Sequence, residues 1–281
     1  MGDHYVPQYY LKGFSQNEGK RIWIYDKTDG VKFPTQVKSI ANITEFYSRE
    51  VEQYLANTIE GPANKVLMKI RQFEQIDQKD KEILSEYMAV MIKRVPKGLQ
   101  RLEEMAPSIN KELFAELSEE LSQIALAMPE KKDVAERRIT EIEAILERYS
   151  KDPPKEIWLE NIPPERSPKV VAALNGMIWR FLVSKNESEF LTSDNPLFFF
   201  TSIGIGKPIS EVLFPVAKNI ALWATWKTNL PEGFINTTSQ AVKEMNRRTA
   251  SYATRYIFKA KDEDWVLPFV MKGSWKLHLY Q

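Results

Sequence analysis

A chain of 281 residues, 43% of them hydrophobic and 27% charged, is long enough to bury most of the surface its unfolded form exposes, so it needs no disulfide or metal staple. That excludes collagen-like, disordered and disulfide-scaffold chains. The lack of Cys removes thiolate metal sites and cysteine nucleophiles, two histidines (His4 and His278) rule out three-histidine zinc and HExxH sites, and 39 Lys and Arg against 38 Asp and Glu argue against a uniformly basic nucleic-acid binder.

No apolar run approaches the roughly 18 residues of a membrane span. The start, MGDHYVPQYY, lacks the basic lead and apolar stretch of a signal peptide, and Gly2 lacks the Ser or Thr of a myristoylation site. These features describe an intracellular, cytoplasmic protein with no membrane contact.

Residues 4–14, HYVPQYYLKGF, form a dense aromatic opening in which Pro7 fixes one backbone angle and biases Val6 toward an extended form. Residues 21–26, RIWIYD, alternate as a strand does. The Asp29-Gly30 pair offers a hairpin turn, with 32–40 as the partner strand. From Arg49 the period changes: Val51, Tyr54, Leu55 and Ile59 make a helix stripe capped by Ser48. Gly61 and Pro62 interrupt it, and a second helix carrying Val66, Leu67 and Ile70 starts there, giving a kinked pair.

Asp77 and Asp80 cap a helix whose stripe runs from Ile83 and Leu84 through Met91 and Ile92 and is ended or bent by Pro96. Leu113, Phe114, Leu117, Leu121 and Ile124 mark another helix. Val134, Ile139, Ile142, Ile145 and Leu146 mark one more, with charge on its other face. Residues 48–150 are therefore expected to be a helical insertion. Residues 151–168 carry five prolines and read as the connector that leads out of it.

Beyond the connector the pattern predicts a short helix near 169–175, strand-like IWRFLV at 178–183, strand-like EFLTSDNPLFFF at 189–200 and a buried strand NIALWATW at 219–226. A helix over 238–252 and a strand RYIFKA at 255–260 complete the order. Strands at both ends of the chain that pair with each other would make one α+β domain over 1–281, a mixed sheet of N- and C-terminal strands interrupted by the helical block.

Two segments offer more than packing. In the opening, His4 is the side chain whose pKa lies nearest neutrality, suited to acid, base or ligand work, while His4 and Gln8 suit equally well a role in pinning the terminus by hydrogen bonds. In TSDNPL, residues 192–197, Ser193, Asp194 and Asn195 present a hydroxyl, a carboxylate and an amide at a strand end. That set fits a divalent cation or a sugar hydroxyl, and it also fits an ordinary turn. GIGKP at 204–208 lacks P-loop spacing and reads as a hairpin-like loop. RRTASYATRY at 247–256 could touch a phosphate backbone but reads better as an amphipathic helix. A Ser193–His4–Asp194 triad is set aside, because adjacent Ser and Asp cannot easily flank one imidazole from opposite sides.

Together the opening His4, Val6, Pro7, Gln8, Tyr9, Tyr10 and Leu11, the pair Glu52 and Glu60, the KRVP at 93–96 and the block Ser193, Asp194, Asn195 and Pro196 resemble the bacterial domain-of-unknown-function 4238 family along nearly the whole chain. The resemblance implies which residues matter. His4, Glu60, Arg94 and Asp194, far apart in sequence, are expected to converge in one cleft.

Three readings are open. In the first, a nuclease-like hydrolase holds Mg²⁺ or Mn²⁺ on Asp194 and Glu60. His4 and Arg94 complete the catalytic set, and Gln8, Ser193 and Asn195 contact the substrate, a nucleic acid or nucleotide. In the second, aromatic side chains stack on the ring of a small molecule or nucleotide without catalysis. In the third, the polar residues are a structural clasp, and the helical block is an interaction platform that pairs with a partner helix or a second copy.

Overall fold

The two-residue strand β1 (Asp3–His4) is followed by a bend at Tyr5 and Val6, and Pro7, in extended backbone, precedes helix α1 (Gln8–Lys12). The computed structural model describes residues 2–185, 187–229, 231–273 and 275–279. The predicted hairpin comes next as β2 (Ile22–Asp26) and β3 (Val31–Thr35), and β4 (Asn42–Ile43) pairs antiparallel with β1. The Ser48 hydroxyl accepts from the Val51 amide at 3.3 Å and starts α2 (Arg49–Tyr54). A π-helical segment, Leu55–Glu60, then joins it to α3 (Gly61–Arg71), the break that Gly61 and Pro62 foretell.

Asp77 and Asp80 form a reciprocal capping box on α4 (Gln78–Arg94), which stops because Val95, preceding a proline, is extended. The long α5 (Pro96–Ala127) carries Pro107 within it and leads to α6 (Lys132–Lys151) and α7 (Lys155–Asn161). After these come α8 (Pro168–Gly176), β5 (Ile178–Ser184), β6 (Thr192–Ser193), β7 (Phe198–Phe199), β8 (Glu211–Ala217), β9 (Ile220–Thr225) and β10 (Gly233–Thr237). Helix α9 (Ser239–Tyr252), β11 (Tyr256–Lys259) and α10 (Val266–Val270) close the order.

The α+β class holds, with one change of plan. Strands from the two ends of the chain do pair, β2 with β11, in an all-antiparallel sheet of order β3-β2-β11-β6. The mixed sheet is a different one, β10-β5-β9-β8-β7, built wholly from the second half and mixed because β10 runs parallel to β5. The expected strand at 189–200 is mostly irregular, reduced to β6 and β7, because its backbone groups are taken up in loop contacts described below.

The chain divides into two compact units, 1–95 with 162–281 and 96–161. The helical unit is thus shorter than the expected 48–150. Helices α3 and α4 bury Leu67, Ile70, Leu84 and Met88 completely within the sheet-bearing unit, where Tyr87 meets Phe214 edge-on at 6.2 Å. Its far boundary falls inside the proline-rich stretch 151–168, whose middle forms α7. No helix among the described residues is long and apolar enough to cross a membrane.

In the sheet-bearing unit the five-stranded sheet is covered on both faces. Phe214 of β8 stacks on Tyr10 of α1 at 5.1 Å on one side, and Leu213, Trp223 and Phe198 meet Val242 and Met245 of α9 on the other. Within that second layer Arg248 of α9 is fully buried, ion-paired with Glu211 of β8 at 2.7 Å and lying over the rings of Phe198 and Phe200. A charge this deep is tolerated only with its partner in place. Glu211→Ala is therefore expected to lower the unfolding free energy by about 3–5 kcal/mol, and Glu211→Leu with Arg248→Met to recover most of that loss, as measured by urea denaturation.

Candidate functional site

The opening segment does reach the TSDNPL block. The Tyr10 hydroxyl donates to Pro215 O at 2.8 Å and shares a 2.6 Å hydrogen bond with the Thr192 hydroxyl. Arg94, at the end of α4 and 2% exposed, ties together three other parts of the sequence. It donates to Glu60 Oε1 and to His4 O, both at 2.7 Å, and lies over the Tyr47 ring. The Tyr47 hydroxyl donates back to Arg94 O, and the Tyr47 amide donates to Asp3 Oδ2 at 3.0 Å. His4 is half-buried, with Nε2 3.2 Å from Lys38 O. Burial pulls its pKa below the usual histidine value, against the nearby Glu60 and Glu52 carboxylates that pull it up.

His4, Glu60 and Arg94 are therefore brought together. Gln8 lies on the surface at the start of α1. The serine-aspartate-asparagine corner has a different task. Asp194 is 4% exposed, and its two oxygens accept from the main-chain amides of Thr254 (2.8 Å), Arg255 (2.7 Å) and Tyr256 (3.0 Å). Burial raises its pKa although these amides and Lys27 favour the anion. Ser193 Oγ accepts from the Asn195 amide at 3.2 Å, and Asn195 Nδ2 donates to Tyr252 O at 2.9 Å, in the last turn of α9. The corner clamps the junction between α9 and β11.

Both members of the expected metal pair, Asp194 and Glu60, have protein partners. The two Asp194 oxygens accept from main-chain amides, and one Glu60 oxygen, Oε1, accepts from Arg94. Among the described residues, no group of three or more Asp, Glu or His gathers to hold a metal ion. Asp194 is buried against main chain, and Ser193 and Asn195 are buried beside it.

A cavity of about 740 Å³ lies elsewhere in the sheet-bearing unit, between α9, α10 and the loop after β5. One wall is aromatic: Phe269 meets Trp275 at 4.6 Å and Trp265 edge-on at 5.4 Å. Arg247 and Lys272 lie 5.6 Å and 5.2 Å from the Trp275 ring centre, and Lys243 lines the same space. Arg247 is paired with Glu244 at 2.9 Å, and its Nε is buried without a hydrogen-bond partner.

The cavity's carboxylates are partly neutralised from behind. Buried Lys259 donates to Glu189 and lies 3.0 Å from Glu263, while Lys243, Lys272 and Glu187 also line the cavity. The floor is held by Asn246, which donates to Glu189 O and accepts from the Leu191 amide, both at 2.9 Å.

A family model described as "Protein of unknown function (DUF4238)" matches residues 3–263. The chain belongs to the DUF4238 family. No curated protein and no solved structure matches it significantly. In this DUF4238 chain the matched region takes in His4, Glu60, Arg94 and Asp194, and it ends at Glu263, just before the aromatic wall of Trp265, Phe269 and Trp275.

Sequence reasoning preferred an amphipathic helix to a phosphate contact for residues 247–256, so Arg247 was not among the expected site residues, and it assigned no helix to residues 266–270. The signal was present in Val266 and Val270, one turn apart and both buried.

Two measurements check these assignments. Asp194→Ala leaves three buried amides without an acceptor and is expected to cost about 3–5 kcal/mol of stability. Asp194→Asn should cost nearly as much, because its NH₂ confronts donors. For His4 the folded pKa lies below the unfolded one, so between the two values the unfolded chain binds more protons and stability falls as pH falls. The Tm should therefore drop on acidification from neutral pH through the unfolded histidine range near ~6.5, and the drop should be smaller in His4→Gln.

Proposed function

We propose that this protein binds a small anionic ligand with a planar ring, of the nucleotide class, in the cavity between α9 and α10. The carrying observation is the coincidence, in one space of about 740 Å³, of a tryptophan-phenylalanine wall with Lys243, Arg247 and Lys272. Cavities of ~300–1,000 Å³ that combine apolar walls with a few convergent polar groups are where proteins hold small molecules. An aromatic face stacks on a base at about 1–3 kcal/mol per ring, whatever the base.

The cations supply the complementary anion contact. Arg247 is prepared for it: Glu244 and the Trp275 ring fix its guanidinium before any ligand arrives, so little side-chain freedom remains to be lost. Binding requires no catalysis, and the residues expected to react, His4 and Asp194, form no part of the lining.

Calorimetric titration of the full chain with AMP, ADP and ATP tests the reading. Saturable binding should appear with at least one of them. Trp275→Ala and Arg247→Gln should each weaken it about tenfold or more while the circular dichroism spectrum is retained. Heats that never saturate at millimolar nucleotide, or affinities that both variants leave unchanged, would remove the cavity as the binding site.

A further inference from the structure

The cavity between α9 and α10 adjoins a second space of about 590 Å³, whose described lining is Arg247, Lys272, Trp275 and Lys276. Arg247, Lys272 and Trp275 line the first cavity as well, so the two chambers share a wall and the Trp275 indole belongs to both. Lys276, the residue after that indole, is the one lining side chain of the second chamber that the first lacks.

The chambers differ in charge. The first sets Lys243, Arg247 and Lys272 against Glu187, Glu189 and Glu263, and it alone holds Trp265 and Phe269. The second combines three cations and an indole, with no carboxylate in its described lining. Lys272 and Lys276 are exposed, and among the described residues neither has a carboxylate partner. Arg247 is paired with Glu244, yet its Nε is buried without an acceptor. Lys272 Nζ and Arg247 Cζ lie 5.2 Å and 5.6 Å from the Trp275 ring centre, so positive charge gathers around the indole that divides the chambers.

This asymmetry orients a ligand that enters both. A negative group among Glu187, Glu189 and Glu263 meets like charge, whereas a neutral ring there has aromatic side chains to stack on. The same negative group in the second chamber meets cations alone. Arg247 and Lys272, common to both chambers, are placed for the phosphate nearest the nucleoside. Lys276 borders only the second chamber and is reached by phosphates further along the chain. An ammonium on a flexible stem suits that task, because it follows a phosphate chain as a mobile point charge.

We propose that the nucleotide taken by this site is a nucleoside di- or triphosphate, with its base in the aromatic chamber and its terminal phosphates in the basic one. The assignment rests on the nucleotide reading of the first cavity and adds to it the direction and length of the phosphate chain. Lys276 discriminates chain length, while Arg247 and Lys272 serve mono-, di- and triphosphates alike.

Calorimetric titration of the full chain, in buffer free of divalent cations, tests this with AMP, ADP, ATP and inorganic tripolyphosphate. ATP should bind about tenfold or more tightly than AMP, with ADP between them. Tripolyphosphate, which brings no ring, should bind about tenfold or more weakly than ATP. Lys276→Gln should weaken ATP binding about fivefold or more and change AMP binding by less than about twofold, with the circular dichroism spectrum retained. Equal affinities for the three nucleotides would overturn the phosphate assignment and leave the nucleotide reading in place, as would a Lys276→Gln effect that is absent or the same for AMP and ATP. Tripolyphosphate binding as tightly as ATP would overturn the placing of the base. Binding by none of the nucleotides would overturn both readings together.

Discussion

Helix α9 is fixed by directional polar contacts made in a dry interior, and both sheets take their positions from it. Its Arg248 reaches Glu211 at the start of β8 in the five-stranded sheet and also donates to His278 O at 2.7 Å. Two residues earlier, Asn246 pins the segment leading into β6 at two main-chain points. At its end, Asn195 and Asp194 hold Tyr252 O and the amides of residues 254–256, where the chain leaves the helix for the four-stranded sheet. Apolar contacts alone would leave such a helix free to slide or rotate at little cost. Each of these bonds, lost in a low-dielectric interior, exposes an unsatisfied group and so specifies one register.

The motif residues can be understood from that constraint. Tyr10, Arg94, Asp194 and Asn195 come from distant parts of the sequence and meet main-chain carbonyls and amides more often than one another. A site that must bind a ligand keeps some of its polar atoms wet and unsatisfied. A clasp satisfies them internally, and at the serine-aspartate-asparagine corner nearly all are satisfied. The cavity shows the opposite balance, with exposed lysines, aromatic faces and a buried guanidinium nitrogen without an acceptor. It is built on the elements the clasp fixes, because Val242, Lys243, Asn246 and Arg247 all belong to α9.

The elements legible in the sequence were those whose periodicity arises locally. The β2–β3 hairpin showed in its alternation and its turn residues, and α4 in its capping pair Asp77 and Asp80 and its stripe. Strand β8 was not visible, since every residue in it is buried, so polar and apolar positions do not alternate, and Pro215 argues against a strand. Proline is accommodated there at a register shift. Residues 49–151 are helical almost throughout, but the compact units divide at 95/96, because an apolar stripe announces that a helix face is buried without naming what buries it. Asp194 was expected to be wet because its chemistry suits a ligand. The three amides that occupy it lie about sixty residues downstream, beyond any local pattern.

Net charge proved the least informative of the sequence quantities, for a physical reason. A total of +1 results from cancellation across the chain, yet a charge at the surface acts over a Debye length of roughly 8–10 Å. Within that distance the cavity wall presents Lys243, Arg247 and Lys272, whatever the total over the rest of the chain. Near-neutrality argues against wrapping a long polyanion, but it places no restriction on holding one small anion.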